Sequence, residues 1–185
     1  MGLGVLNVAR AAAAELRSPV PWTALLLSVT VGVLFARRGR VRREPGWGLL
    51  VRALPAVAIP IGVDALTPSL DQWPLHAELV FAAGGAVTAV SLSSLGRSFA
   101  ILPALREIVT TGPYRVVRHP AYAGELFMVA ACVLAKPGWL MLTPLVLGLP
   151  LVALRIDAEE RLLRTEAGYE AYARRVRWRL LPLVW

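Results

Sequence analysis

Gly112-Pro113-Tyr114-Arg115-Val116-Val117-Arg118-His119-Pro120-Ala121-Tyr122-Ala123-Gly124 decides how this 185-residue chain is to be read. It sets ionisable and aromatic side chains directly against an apolar run, residues 126–135. Some twenty residues beyond that run stands a second polar cluster, Arg155-Ile156-Asp157-Ala158-Glu159-Glu160. Two polar clusters joined by a hydrophobic helical hairpin meet at one membrane face. Residues distant in sequence then share one site.

Working outward, the apolar runs repeat. The chain is 57% hydrophobic, above the roughly 45–50% of soluble domains. Residues 19–36 hold no charge and are long enough to span a bilayer as a helix. Residues 47–66 form a second candidate, with Arg52 and Asp64 near its ends, where long basic side chains snorkel to the headgroups. Residues 79–96 form a third, in which Gly84, Gly85, Thr88 and Ala89 allow close helix approach. Residues 120–135 and 138–154 are the fourth and fifth, linked by Lys136-Pro137-Gly138 as a tight hairpin. Pro144, Gly148 and Pro150 predict a kink in the fifth. The expected fold is one all-α polytopic membrane domain with about five transmembrane helices and a cytoplasmic C-terminal helical region. Residues 1–96 supply the N-terminal spans, and residues 97–185 the catalytic region. The segment after Glu160 reads as an amphipathic helix ended by Pro182, and residues 3–16 as a short interfacial helix. The N-terminus lacks the pattern of a cleaved signal peptide.

The net charge of +8 would suggest nucleic acid in a soluble protein. Here the basic residues cluster between apolar runs, so the positive-inside rule accounts for them and no nucleic-acid partner is expected. The loop segments of one side carry sixteen basic residues and those of the other three. That bias predicts an outer N-terminus and a cytoplasmic C-terminus, with both polar clusters inside. Trp22, Trp73 and Trp139 then fall at the outer interface and Trp47 at the inner. Cys132 lies within an apolar run and reads as packing.

Proline disfavours helix in the residue before it and suits the first helical position. His119 is therefore expected at the N-cap of the fourth helix, with free N–H groups and the positive dipole end facing the mouth. Gly112-Pro113 makes a turn that folds Tyr114 towards the same mouth. Arg155 and Glu159 share one helix face. Adjacent carboxylates beside a bilayer need partners, such as His119, Arg118 or a cationic cofactor. No metal site is expected, because the paired Glu-x-x-His spacing of di-iron bundles is missing. No dinucleotide fingerprint, Walker loop or nucleophile elbow is present.

Leu95-Gly96-Arg97-Ser98-Phe99, Val109-Thr110-Thr111-Gly112-Pro113-Tyr114, Arg118-His119-Pro120-Ala121-Tyr122-Ala123-Gly124, Arg155-x-x-x-Glu159-Glu160 and Gly168-Tyr169-x-x-Tyr172 resemble the isoprenylcysteine carboxyl methyltransferases. The resemblance covers about residues 90–185. It implies S-adenosylmethionine as cofactor, contacted by Arg106, Glu107, Ile108, Val109, Tyr114, His119, Pro120, Ala121, Tyr122 and Glu159, with Glu160 beside it. It implies that Arg155 faces the substrate carboxylate, so that Arg155 and Glu159 form the catalytic pair. Phe99 departs from the eukaryotic pattern, which has a polar cofactor contact there. The expected reaction is methyl transfer to a lipophilic acceptor from the inner leaflet, most simply the carboxylate of an isoprenylated cysteine-like lipid. The alternatives are a phospholipid N-methyltransferase, a nicotinamide-dependent membrane reductase and a non-catalytic scaffold. If the acceptor is an amine, Glu159 or Glu160 is the candidate base. The Arg/Ala/Pro-rich composition suggests a bacterial inner membrane.

Overall fold

The computed structural model describes residues 17–37, 69, 72–98 and 108–185. Among them all regular structure is helical: α1 (Pro19–Arg37), α2 (Leu75–Leu95), α3 (Pro120–Ala135), α4 (Trp139–Leu163) and α5 (Tyr169–Arg175), with 3-10 turns at Gly96–Ser98 and Gly112–Arg115. Helices α1, α2 and α4 are long and apolar enough to cross a membrane. Many of their large apolar side chains face outward, among them Leu25, Leu26, Val29, Leu79, Val90, Val146 and Leu147. Lipid is the solvent that suits such a surface. The chain is an all-α membrane protein. Helix α3 is equally apolar but has 16 residues, a length of about 24 Å against a hydrocarbon core of about 30 Å.

The helix bounds follow local chemistry. Pro74, extended at φ −73° and ψ 145°, starts α2 one turn before the uncharged run, and Glu78 in the first turn suits the dipole. Gly96 ends α2 at φ +50°, a left-handed value that favours glycine. Helix α3 occupies the expected 120–135. Helix α4 runs through Pro144 and Pro150 and on past residue 154, carrying Arg155, Glu159 and Glu160 on the same rod. The expected second span (47–66) and interfacial helix (3–16) lie outside the described residues.

The C-terminal reading needs correction. No single amphipathic helix runs from Glu160 to Pro182. Helix α4 stops at Leu163, Gly168 turns the chain at φ +95°, and α5 ends at Arg175. Gly168 supplies the positive φ that an L side chain rarely adopts, so the helix breaks there.

Val20, Trp73, Ala77, Ala131, Cys132 and Met141 form one apolar cluster. They come from the starts of α1, α2 and α4 and the end of α3, so α3 runs opposite to the other three. Trp22 and Trp139 are exposed at this end, as an interfacial belt requires, whereas Trp73 is buried edge-on against Phe81 at 5.8 Å. At the other end Tyr122, Ala123, Val152, Ile156 and Leu180 close the α3–α4 hairpin. Helices α2 and α3 pack most extensively, because glycine lets their backbones meet. A Cβ on Gly84 would lie 2.7 Å from the Gly124 carbonyl oxygen. Thr88 donates to the Gly84 carbonyl and sits 3.4 Å from that of Ala121.

Candidate active site

The site forms where α3 begins and α4 leaves its apolar stretch. His119 is the N-cap of α3, non-helical at φ −129° and ψ 58°, and Pro120 takes the first helical position. The amides just before it are already engaged. The N–H of Arg118 donates to the Trp178 carbonyl (2.9 Å) and that of His119 to the Arg179 carbonyl (2.8 Å). The expected row of free donors at this terminus is thus partly closed by the C-terminal segment, and Pro120 has no N–H to offer.

Glu159 stands at the centre. One carboxylate oxygen accepts a short hydrogen bond from the Tyr122 hydroxyl and lies 3.7 Å from Arg155 Nε. The other lies 3.6 Å from His119 Nδ1. Arg155 Nε also donates to the Tyr122 hydroxyl at 2.6 Å, and its guanidinium sits 5.1 Å from the Tyr122 ring centre. Tyr122 therefore ties Arg155 to Glu159 across the two helices. The ring of His119 stacks on that of Tyr122 at 5.9 Å.

Glu160 faces a different set. Its carboxylate is 2.9 Å from Arg118 Nη1, 3.3 Å from His119 Nε2 and 3.2 Å from Arg179 Nη2, with Arg164 at 3.8 Å. Its side chain is 2% exposed, that of Glu159 22%. Glu159 is the more accessible of the two, and Glu160 is locked among Arg118, His119 and Arg179.

His119 bridges the two acids, one ring nitrogen to each. Burial alone would lower its pKa, but hydrogen bonds and charge from Glu159 and Glu160 outweigh burial and raise it. In its imidazolium form both ring nitrogens donate, one towards each carboxylate. Around it stand three tyrosines. Burial, reinforced by the Glu159 charge, holds the Tyr114 phenol far above its usual range. Burial pushes Tyr169 up to about 12, and Tyr172 is raised by burial and by Tyr169. All three remain neutral donors near pH 7. The Tyr172 hydroxyl donates to the Tyr114 carbonyl at 2.9 Å and pins the 112–115 turn to α5. Ile108 packs against the Tyr169–Tyr172 pair.

The structure thus gathers Tyr114, His119, Tyr122, Arg155, Glu159 and Glu160. It places Ile108 beside them, and Ala121 on the face towards α2 through Thr88. Val109 is half-buried just before the turn. Arg106 and Glu107 lie outside the described residues. The sequence reading missed two members. Arg179 bonds Asp157 at 2.9 Å as well as Glu160, and no local pattern marks it. Glu125 sits one turn into α3, interacting electrostatically with Arg155 and Glu159. Its signal was present in the sequence, since an acid inside an apolar span is unusual.

The family model of the phospholipid methyltransferases matches residues 75–169, from the first residue of α2 to the first of α5. No curated protein matches the chain. The matched stretch contains the α2–α3 contact, the His119 cap and the acidic pair, and it covers more than half of the sequence. The chain belongs to the phospholipid methyltransferase family, a membrane methyltransferase family related to the isoprenylcysteine carboxyl methyltransferases whose motifs it resembles.

Proposed function

We propose that this protein transfers a methyl group from S-adenosylmethionine to a lipophilic acceptor that enters the mouth from the inner leaflet. The observation that carries the reading is the joined set of His119, Tyr122, Arg155 and Glu159 at one end of the α3–α4 hairpin, in a chain of a membrane methyltransferase family. The basic bias of the loops supports a cytoplasmic mouth and an outer N-terminus. The shortness of α3 supports a mouth drawn into the headgroup layer, within reach of lipids moving sideways.

The residues present fit such a cofactor. S-adenosylmethionine supplies an electrophilic methyl carbon on a sulfonium, and it also carries an ammonium and a carboxylate. The mouth offers both signs of charge, together with aromatic rings. Among the described residues, Arg118 Nε and the Tyr169 hydroxyl are buried without a hydrogen bond of good geometry, as expected of a polar site that takes a polar ligand, whereas Glu160 Oε2 is held by ion pairs with Arg179 and Arg164. Glu159 and the residues flanking His119 are the candidate holders, with Tyr114 and Ile108 at the edge. Glu160 serves them by fixing His119 and Arg118.

The chain's own part in the chemistry is positioning and exclusion of water. Arg155, aligned by Tyr122, is placed to orient an anionic group of the acceptor. A carboxylate acceptor, as of an isoprenylated cysteine-like lipid, is already a nucleophile. An amine acceptor, as of a phospholipid headgroup, must first lose a proton. Glu159 and Glu160 are both ion-paired, which makes them weak bases. Saturable binding of labelled S-adenosylmethionine to the detergent-purified protein, followed by label in the lipid extract, is the expected result. Binding of a nicotinamide nucleotide instead would replace this reading with the reductase. Binding of neither would leave a scaffold.

A further inference from the structure

Glu125 joins the network above only through space. Glu125 follows Tyr122 by three positions on α3, so both lie on one side of the helix, Glu125 a turn deeper. It stands about 7.5 Å along the axis from Pro120. Leu126 beside it packs into the α3–α4 apolar cluster. A carboxyl group at such a depth is costly and marks a working position by default. Glu125 is half-buried, so it is neither sealed in a core nor turned fully outward. Among the described residues no hydrogen bond or ion pair engages its carboxylate. It interacts through space with Arg155, Glu159 and Tyr122. Arg155 is the nearest cation in that set, and its Nε is already given to Tyr122.

We propose that Glu125 is the specificity-determining residue of the acceptor site, receiving the cationic group of a zwitterionic lipid headgroup while Arg155 receives its anionic group. The inference rests on the lipid-acceptor reading above. The two side chains come from neighbouring helices, with Tyr122, three positions before Glu125, hydrogen-bonded to Arg155. Their order along the hairpin sets the ammonium-binding acid deeper than the cap of α3, and a purely anionic headgroup meets two carboxylates, Glu125 and Glu159, on approach. The acid thus works by repulsion of the wrong acceptor as well as attraction of the right one.

Calorimetry of lipid binding in detergent reads this without turnover. The ligands are a short-chain phosphatidylethanolamine, the same lipid with its nitrogen acylated, and an S-prenylated N-acetylcysteine. The wild-type protein is expected to bind the free-amine lipid about tenfold more tightly than either other ligand, the effect of one charged hydrogen bond. Glu125→Gln is expected to abolish that preference, with S-adenosylmethionine affinity unchanged. Glu125→Asp, which keeps the charge, is expected to retain the preference. If Glu125→Gln does not fold, the wild-type and Asp arms still decide the matter. Equal wild-type affinity for the amine and acylated lipids, tighter binding of the prenylated cysteine, a preference that survives Glu125→Gln, or its loss in a folded Glu125→Asp overturns the assignment. Failure of S-adenosylmethionine to bind the wild-type protein counts against methyl transfer and leaves the lipid preference as a separate result.

Discussion

Glu159 and Glu160 are neighbours in sequence with opposite surroundings, and substitution should separate them. Glu159→Gln is expected to weaken S-adenosylmethionine binding by about 1–3 kcal/mol, the range for a lost hydrogen bond to a charged group, with little change in thermal stability. Glu160→Gln leaves Arg118, His119 and Arg179 around a neutral side chain and should cost about 3–5 kcal/mol of stability, as for a broken buried ion pair. Titration calorimetry and thermal unfolding of both variants test the split; equal loss of affinity in the two would refute it. Arg155→Lys should raise the acceptor KM and spare cofactor affinity, because an ammonium cannot both hold the Tyr122 hydroxyl and present a planar fork. Lost cofactor binding with an intact acceptor KM would instead assign Arg155 to the cofactor. His119 adds a pH dependence. Its folded-state pKa lies above the ordinary value of 6.5, so its contribution is complete below that pH and is lost as pH rises through the raised value. Unfolding midpoints measured from pH 6 to 9 should fall for the wild type and fall less for His119→Asn. Much of this was readable in the sequence: His-Pro marks a cap by backbone sterics alone, and four residues on a helix put Arg155 beside Glu159. Arg179 was not, since its place at Glu160 depends on how the chain returns after Gly168.

The helices of the hairpin were legible because a bilayer tolerates few charges, so uncharged runs and spans nearly coincide. The same rule hid the length of α4. Hydropathy stops at Arg155, but the backbone hydrogen bonds continue to Leu163 and carry the acidic pair out on a rigid rod. The pairing of α2 with α3 was half legible. Gly84 and Thr88 announce a close contact, but Gly124 as its counterpart needs the structure. That contact fixes α3 and hence the height of His119 and Tyr122. Gly124→Val should be felt as overpacking, because even a Cβ there would press on Thr88 and on the Gly84 carbonyl. A loss of about 1–3 kcal/mol is expected, with methyl transfer reduced further than stability because Tyr122 shifts. Gly138→Ala, with nothing within 4 Å of an added Cβ, is the control: thermal melts and activity of the pair should differ, and similar behaviour would show that the α2–α3 contact does not set the site.

On the scale of the molecule, the charge bias predicts the orientation of the bundle, and the apolar clusters show which helix ends lie together. A reporter active only in the cytoplasm should be silent when fused before residue 1 and active after residue 185; the reverse result would invert the bundle and place the mouth outside. The sequence carries a sidedness signal because basic loops are hard to move across a bilayer. It did not convey how residues 177–180 return to the start of α3, since a short irregular strap has no periodicity to read. That strap bears on the order of events during assembly. Arg118 bonds to the carbonyl of Arg177, 59 positions further on, and Arg118 and His119 take the next two carbonyls for their amides. Until the strap docks, the amides of residues 118 and 119 have no partners and Glu160 lacks Arg179. The bundle can thus be seated in the membrane before its mouth is complete. Lipid meets an unfinished site first, and competence for chemistry waits on the docking of the strap rather than on insertion.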